Sequence, residues 1–224
     1  MGLLSIIENP ILFITIIISL LVALSIHEFA HSWTANFLGD DTSKRMGRLT
    51  LNPAKHLDVY GSLSILLLGI GWGKPVQINP NNFNNPRMGN ALTAIAGPVS
   101  NLLLALLLSS FYNFVPDGYF KFLLFYMILY NIFLLVFNLI PISPLDGQKF
   151  FALFFPILDN NKYVESGPII LIMLIVISSF TTFSVFSYLY SITILFLQFI
   201  HVFPTISFEF YRTMDLTMLN KFIW

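Results

Sequence analysis

Cysteine is absent from this chain, and charge is scarce: Asp, Glu, Lys and Arg together make up 10% of its 224 residues. Without cysteine there is neither a disulfide framework nor a thiolate metal site, and cysteine usage says nothing about redox compartment. Ordinary soluble domains carry about 25% charged residues, so the shortage argues against a water-soluble globular protein. Basic and acidic residues balance at 11 each, for a formal net charge of zero. A polyanion such as nucleic acid therefore has no electrostatic hold on the chain. The N-terminus lacks a positively charged n-region and a small-residue cleavage site, so the first apolar run is expected to stay in the mature protein. No segment is long and polar enough for a separate soluble domain, and no internal repeat is visible.

Apolar residues are what the chain has instead. They account for 56% of it, with a mean hydropathy of +0.79. Long apolar runs divided by short polar stretches predict an all-α polytopic membrane protein with about five spanning helices. One domain is expected over residues 1–224, with a catalytic core at about 10–150 and additional C-terminal helices at 166–224. The first span should occupy 10–38, opened by Pro10 and closed by Gly39. Two more are expected at 89–114 and 119–140. A run at 168–203 should hold two helices broken near 181–184, and 207–224 reads as an interfacial helix. The apolar segment 57–72 is short and is followed by an Asn-, Pro- and Gly-rich stretch that cannot face lipid.

One cluster inside the first span carries chemistry: His27-Glu28-Phe29-Ala30-His31. On a helix, residues four apart share a face, so both imidazoles can hold one zinc ion. Zinc lowers the pKa of a coordinated water to roughly 7, and Glu28, beside the first ligand, is placed to take its proton. The competing reading is simple interfacial polarity. Each ionisable group at the centre of a span costs roughly 2.5–3.5 kcal/mol or more, and three within five residues ask for a compensating partner, which a metal supplies.

A catalytic zinc needs a third protein ligand and an open position. Asp146 is the candidate, at the end of the proline-interrupted stretch Asn138-Leu139-Ile140-Pro141-Ile142-Ser143-Pro144-Leu145-Asp146-Gly147. Irregular backbone at membrane depth is tolerated where it is buried in protein or lines a water-filled cavity. Asp146 as a helix N-cap at the membrane surface is the alternative, and His56 and Asp58 are rival ligands. His201 reads as an interfacial histidine.

These motifs resemble the site-2 protease family of intramembrane metalloproteases, peptidase family M50. The resemblance rests on HEFAH at 27–31, on GPVSN at 97–101 as the family's Gly-Pro-x-x-Asn, and on NLIPISPLDG at 138–147. RLTLNPAKHLD at 48–58 and GWGKPV at 71–76 resemble its compact prokaryotic subgroup without PDZ or CBS domains. The resemblance implies that His27, His31 and Asp146 bind one Zn²⁺ per chain and that Glu28 is the general base. It implies a substrate-binding role for Asn101, whose other reading is an interhelical hydrogen bond. It also implies a small membrane-associated β-hairpin near residues 74–79. Many relatives follow the aspartate with two glycines, whereas here Gly147 precedes Gln148.

The expected activity is hydrolysis of membrane-protein substrates within or near their transmembrane segments, in a prokaryotic plasma membrane. Asp146 can join the histidines only if 57–88 dips into the bilayer and returns to the side it entered from. Lys44, Arg45, Arg48, Lys55, Lys74, Arg87, Lys149 and Lys162 then share one face, which the positive-inside rule makes cytoplasmic. The N-terminus is outside and the zinc lies toward the cytoplasmic half. The partners are a membrane-spanning protein substrate and the lipid bilayer. A metal transporter and a catalytically inactive membrane-protein-binding homologue are the alternatives.

Overall fold

The computed structural model describes residues 9–61, 63, 73–180 and 185–199. Its described residues are mostly helical, and their backbone pairs in the β manner at one place, an antiparallel bridge between Leu57 and Gly73. The helices are α1 (Pro10–Phe37), α2 (Thr42–Arg45), α3 (Pro86–Tyr112), α4 (Tyr119–Asn138), α5 (Asp146–Phe151), α6 (Asn161–Phe180) and α7 (Val185–Phe199). Asn-Pro pairs start two of them. Asn9 Oδ1 accepts from Leu12 N at 3.2 Å ahead of Pro10, and Asn85 Oδ1 accepts from Met88 N at 3.1 Å ahead of Pro86. Asparagine satisfies an otherwise orphaned N–H, and proline costs nothing where no N–H bond is due. Gly39, with φ of 107°, ends α1 in a left-handed turn that a side chain would strain.

Three of these helices, α1, α3 and α4, are long and apolar enough to cross a membrane. Only 39% of each apolar window is buried inside the protein, so most of it faces outward. The outward residues include Ile11, Ile14, Leu103, Leu107, Phe111 and Phe120, a surface suited to lipid. Polar groups within α1 are satisfied locally: Thr15 Oγ1 donates to Ile11 O at 2.7 Å, and Ser19 Oγ to Thr15 O at 2.7 Å. The buried core joins Leu12 and Ile16 of α1, Ala105 of α3, Ile128, Leu129 and Ile132 of α4, and Leu197 of α7.

Spans and structure agree closely for the first three helices. α6 begins at Asn161, seven residues before the expected 168, and carries Pro168 inside it. Its first turns are polar but helical, and hydropathy alone does not register them. Gly167 lets α6 approach the loop before Asp146: a Cβ there would sit 2.4 Å from Ser143 O. Tyr163 Oη donates to Pro141 O, tying the two together. The β-hairpin expected near 74–79 does not form among the described residues: 74–79 pair with no strand, and the N–H groups of Val76 and Asn79 go to the side chains of Glu28 and Asp40 instead. The break near 181–184, His201 and the interfacial helix at 207–224 lie outside the described residues.

The ends of segment 57–73 meet. Besides the Leu57–Gly73 bridge, Lys74 N donates to His56 O at 2.8 Å. Residues 56–57 and 73–74 therefore lie side by side. A clasp built on Asp40 fixes the polar stretch after it. The Asp40 carboxylate, fully buried, accepts from Asn79 N at 2.7 Å, Asn82 Nδ2 at 2.7 Å and Thr42 N at 3.1 Å, and from Thr42 Oγ1. Burial alone would raise this carboxyl, but the hydrogen bonds outweigh it and hold Asp40 below the ordinary aspartate value. The clasp binds the end of α1 to the 79–82 turn just ahead of α3.

Candidate metal centre

His27 and His31 occupy successive turns of α1, and Asp146 is the first residue of α5. The structure brings their ligand atoms together although 119 residues separate His27 from Asp146. His27 Nε2 lies 3.0 Å from Asp146 Oδ2, His31 Nε2 lies 3.2 Å from the same oxygen, and the two Nε2 atoms are 3.0 Å apart. The rings stand nearly perpendicular, at 86°.

Each histidine has its other nitrogen engaged by α3. His27 Nδ1 meets Asn101 Oδ1 at 2.6 Å, and His31 Nδ1 meets the Thr93 carbonyl at 2.7 Å. Both partners are acceptors, so both Nδ1 atoms carry the proton, and the neutral rings present Nε2 lone pairs to each other and to a carboxylate. With both rings neutral, three acceptors converge on one point, an arrangement suited to a cation between them. Donors at a tetrahedral zinc with 2.0–2.1 Å bonds are about 3.3 Å apart, so the triangle needs to open by only a few tenths of an ångström. The donor set fits zinc. Among the described residues this is the one group of three such side chains able to hold a metal.

The space is made by a glycine. A Cβ at Gly97 would lie 2.5 Å from His31 Nε2, 2.6 Å from His31 Cε1 and 2.7 Å from His27 Cε1. Thr93, Gly97 and Asn101 are four residues apart in turn, one stripe of α3 laid against both imidazoles. Gly147 permits a different close approach: a Cβ there would collide with the backbone of Leu139 and Ile140, so the first turn of α5 folds against the preceding loop. Gln148 is buried and donates from Nε2 to Leu158 O at 2.7 Å.

Asp146 is not an N-cap; Leu145 holds that position, and the Asp146 carboxylate turns to the histidines. Its side chain keeps 14% exposure against 5% and 7% for the imidazoles, so the triangle is most open on the aspartate side. Glu28 is buried, and its Oε2 accepts from the backbone N–H of Val76 at 3.1 Å. Asn101 is wholly buried, with Nδ2 donating to Ala23 O at 3.0 Å and to Asn131 Oδ1 at 2.8 Å. The rival ligands stay outside. His56 Nε2 donates to Thr50 O at 2.8 Å, and Asp58 Oδ1 accepts from Gly61 N at 2.8 Å.

Several contributors escape sequence reasoning. Thr93 could have been found by counting back from Gly97 and Asn101 in steps of four; Gly97 itself opens the GPVSN motif, but its close approach to the imidazoles shows only in the structure. Asn131 stands alone mid-way along an apolar helix, itself a signal. Val76 acts through its backbone and leaves no trace in residue type.

Comparisons with known proteins agree with the motifs. The model of Peptidase family M50 matches residues 15–118, which include both histidines, Glu28 and Asn101 and end before Asp146. YwhC of Bacillus subtilis, named as a candidate zinc metalloprotease, is 43% identical over 145 residues, covering 60% of this chain and 66% of YwhC. Rip2 of Mycolicibacterium smegmatis, named in the same terms, is 33% identical over 144 residues, covering 60% of this chain and 55% of Rip2. Zinc metalloprotease MJ0392 of Methanocaldococcus jannaschii is 30% identical over 149 residues, covering 65% of this chain and 36% of that protein. The chain thus matches about two-thirds or less of each relative's length. No solved structure gives a significant match. With the motifs, the apolar helices and these matches together, the chain belongs to peptidase family M50, the site-2 protease family.

Proposed function

We propose that this chain is an intramembrane zinc metalloendopeptidase that cuts membrane-spanning proteins within or near their transmembrane segments. The observation that carries the reading is the His27–His31–Asp146 triangle, with both Nδ1 atoms held by acceptors. His27, His31 and Asp146 hold one zinc ion. When bound, the metal supplies a Lewis acid that makes water nucleophilic at neutral pH and stabilises negative charge on an attacked carbonyl. Glu28 is the general base. It takes a proton from the attacking water and passes it to the leaving amine. The Val76 N–H holds one carboxylate oxygen, leaving the other for the proton. Asn101, buried and with its amide committed, serves the histidine rather than the substrate.

Orientation follows from the helix order. α1 is 28 residues long, about 42 Å, with both histidines in its later half. The joined ends of 57–73 support a re-entrant segment, so α3 starts on the face where α1 ends, and α4 brings the chain back to that face. Arg87 Nη2 donates to Ala152 O at 2.7 Å, linking the start of α3 to the end of α5 there. Lys44, Arg45, Lys55, Lys74, Arg87, Lys149 and Lys162 share this face and Lys121 takes the other, which makes the first cytoplasmic. The N-terminus is outside, and the setting is a prokaryotic plasma membrane.

The test is reconstitution. Purified protein in liposomes with a single-span substrate should cleave it, stop when zinc is chelated, and resume when about one equivalent is restored. Zinc crossing the bilayer with no cleavage would replace the protease with a transporter.

A further inference from the structure

Asn131 lies mid-way along α4 with no exposed surface, and it takes no part in the proposed hydrolysis. A directed chain of hydrogen bonds starts from it. Its Nδ2 donates to Met127 O in its own helix at 2.7 Å, which leaves Oδ1 to face α3. That oxygen accepts from Asn101 Nδ2 at 2.8 Å, and the same Nδ2 donates to Ala23 O of α1 at 3.0 Å. Asn101 Oδ1 is thereby turned to His27 Nδ1, 2.6 Å away.

No other amide orientation satisfies these groups. Turning Asn101 over would set its oxygen against two acceptors, Ala23 O and Asn131 Oδ1. Turning Asn131 over would set two NH₂ groups against each other and an oxygen against Met127 O. The backbone carbonyls of Met127 and Ala23 are fixed within helices, so the direction of the chain is fixed too.

We propose that Asn131 is a positioning residue for the metal centre: through Asn101 it fixes the Nδ1–H tautomer and ring orientation of His27 and so strengthens zinc binding. The inference rests on His27 being a zinc ligand. A ligating histidine that donates its other N–H to an oxygen is held in the right tautomer and made more basic. With Asn131 Oδ1 gone, one of the two acceptors that orient the Asn101 amide is lost. Asn101 can then present NH₂ to His27, which favours the tautomer whose Nε2 carries hydrogen and cannot ligate.

Zinc dissociation constants, measured by chelator competition on metal-stripped full-length protein, test the proposal alongside the melting temperature of the metal-free form. Asn131→Leu should weaken zinc binding by about 10- to 100-fold, and Asn101→Leu by a similar factor. The double variant should bind no more weakly than Asn101→Leu alone, because the effect of Asn131 passes through Asn101. Asn131→Ala, which fits without crowding, should repeat the loss where the leucine disturbs folding. A lowered melting temperature with wild-type zinc affinity in the Asn131 variants, or losses that multiply in the double variant, would overturn the proposal. Wild-type protein binding zinc no better than His27→Ala would overturn the metal centre itself and this inference with it.

Discussion

Placing one methyl group at Gly97 tests whether the room between the two imidazoles is set by α3. In Gly97→Ala the new carbon would lie 2.5 Å from His31 Nε2 and 2.7 Å from His27 Cε1. Comfortable contacts between such atoms are about 3.5–4.0 Å, so something must move by about 1 Å. α3 cannot easily retreat, because Thr93 O and Asn101 Oδ1 hold the same two rings and Ala91, Ala94 and Ala105 are buried on that helix. The imidazoles are the parts left to shift, whereas metal–ligand distances tolerate only about 0.2 Å. Overpacking of this kind costs about 1–3 kcal/mol. Falling on the metal site, that is a loss of about 5- to 150-fold in zinc affinity. Chelator competition reads the affinity, and metal-free melting curves report whether the fold persists. A folded Gly97→Ala protein with wild-type zinc affinity would refute the reasoning.

Other consequences can be checked separately. Asp146→Ala should lose zinc while His56→Ala keeps it, by metal analysis of purified protein, because His56 is engaged by Thr50 O away from the triangle. Asp40→Asn should lower stability at neutral pH by about 1–3 kcal/mol, since the amide cannot satisfy the donors that converge on the carboxylate. Because Asp40 is held below its unfolded value of about 3.9, its contribution is full above that pH and fades as pH falls through the folded value. The gap between wild type and Asp40→Asn in melting temperature should accordingly close in acid. Cysteines placed at Lys44, Lys74 and Lys162 should react with an impermeant reagent from one side, and a cysteine at Asp117 from the other. Labelling of positions 44 and 74 from opposite sides would mean that segment 57–73 crosses the membrane.

How much of the fold and site is legible in the sequence depends on what each residue costs where it stands. Two histidines and a glutamate in an apolar run are expensive, and the expense marks the site before any geometry is known. The three spanning helices are legible for the related reason that their apolar runs admit few other fates. Asp146 can be named from a proline-broken stretch and a family motif, but its approach to α1 depends on Gly147 and Gly167 permitting close backbone contact. Asn131 is one asparagine in a helix, and its meaning emerges only when α4 lies against α3. The hold of Val76 on Glu28 is invisible in the sequence, because every residue but proline offers the same N–H.

The central claim is that Glu28 moves a proton in peptide hydrolysis and does not hold the metal. Glutamine keeps the shape of the side chain and the acceptor for Val76 N–H, but it cannot take a proton from water. The measurement is cleavage of a single-span substrate in liposomes by Glu28→Gln, with zinc content determined on the same samples. The account predicts full zinc occupancy and a rate lowered by about 10²–10⁴-fold, the usual worth of general-base catalysis. Cleavage at the wild-type rate by zinc-loaded Glu28→Gln would contradict it.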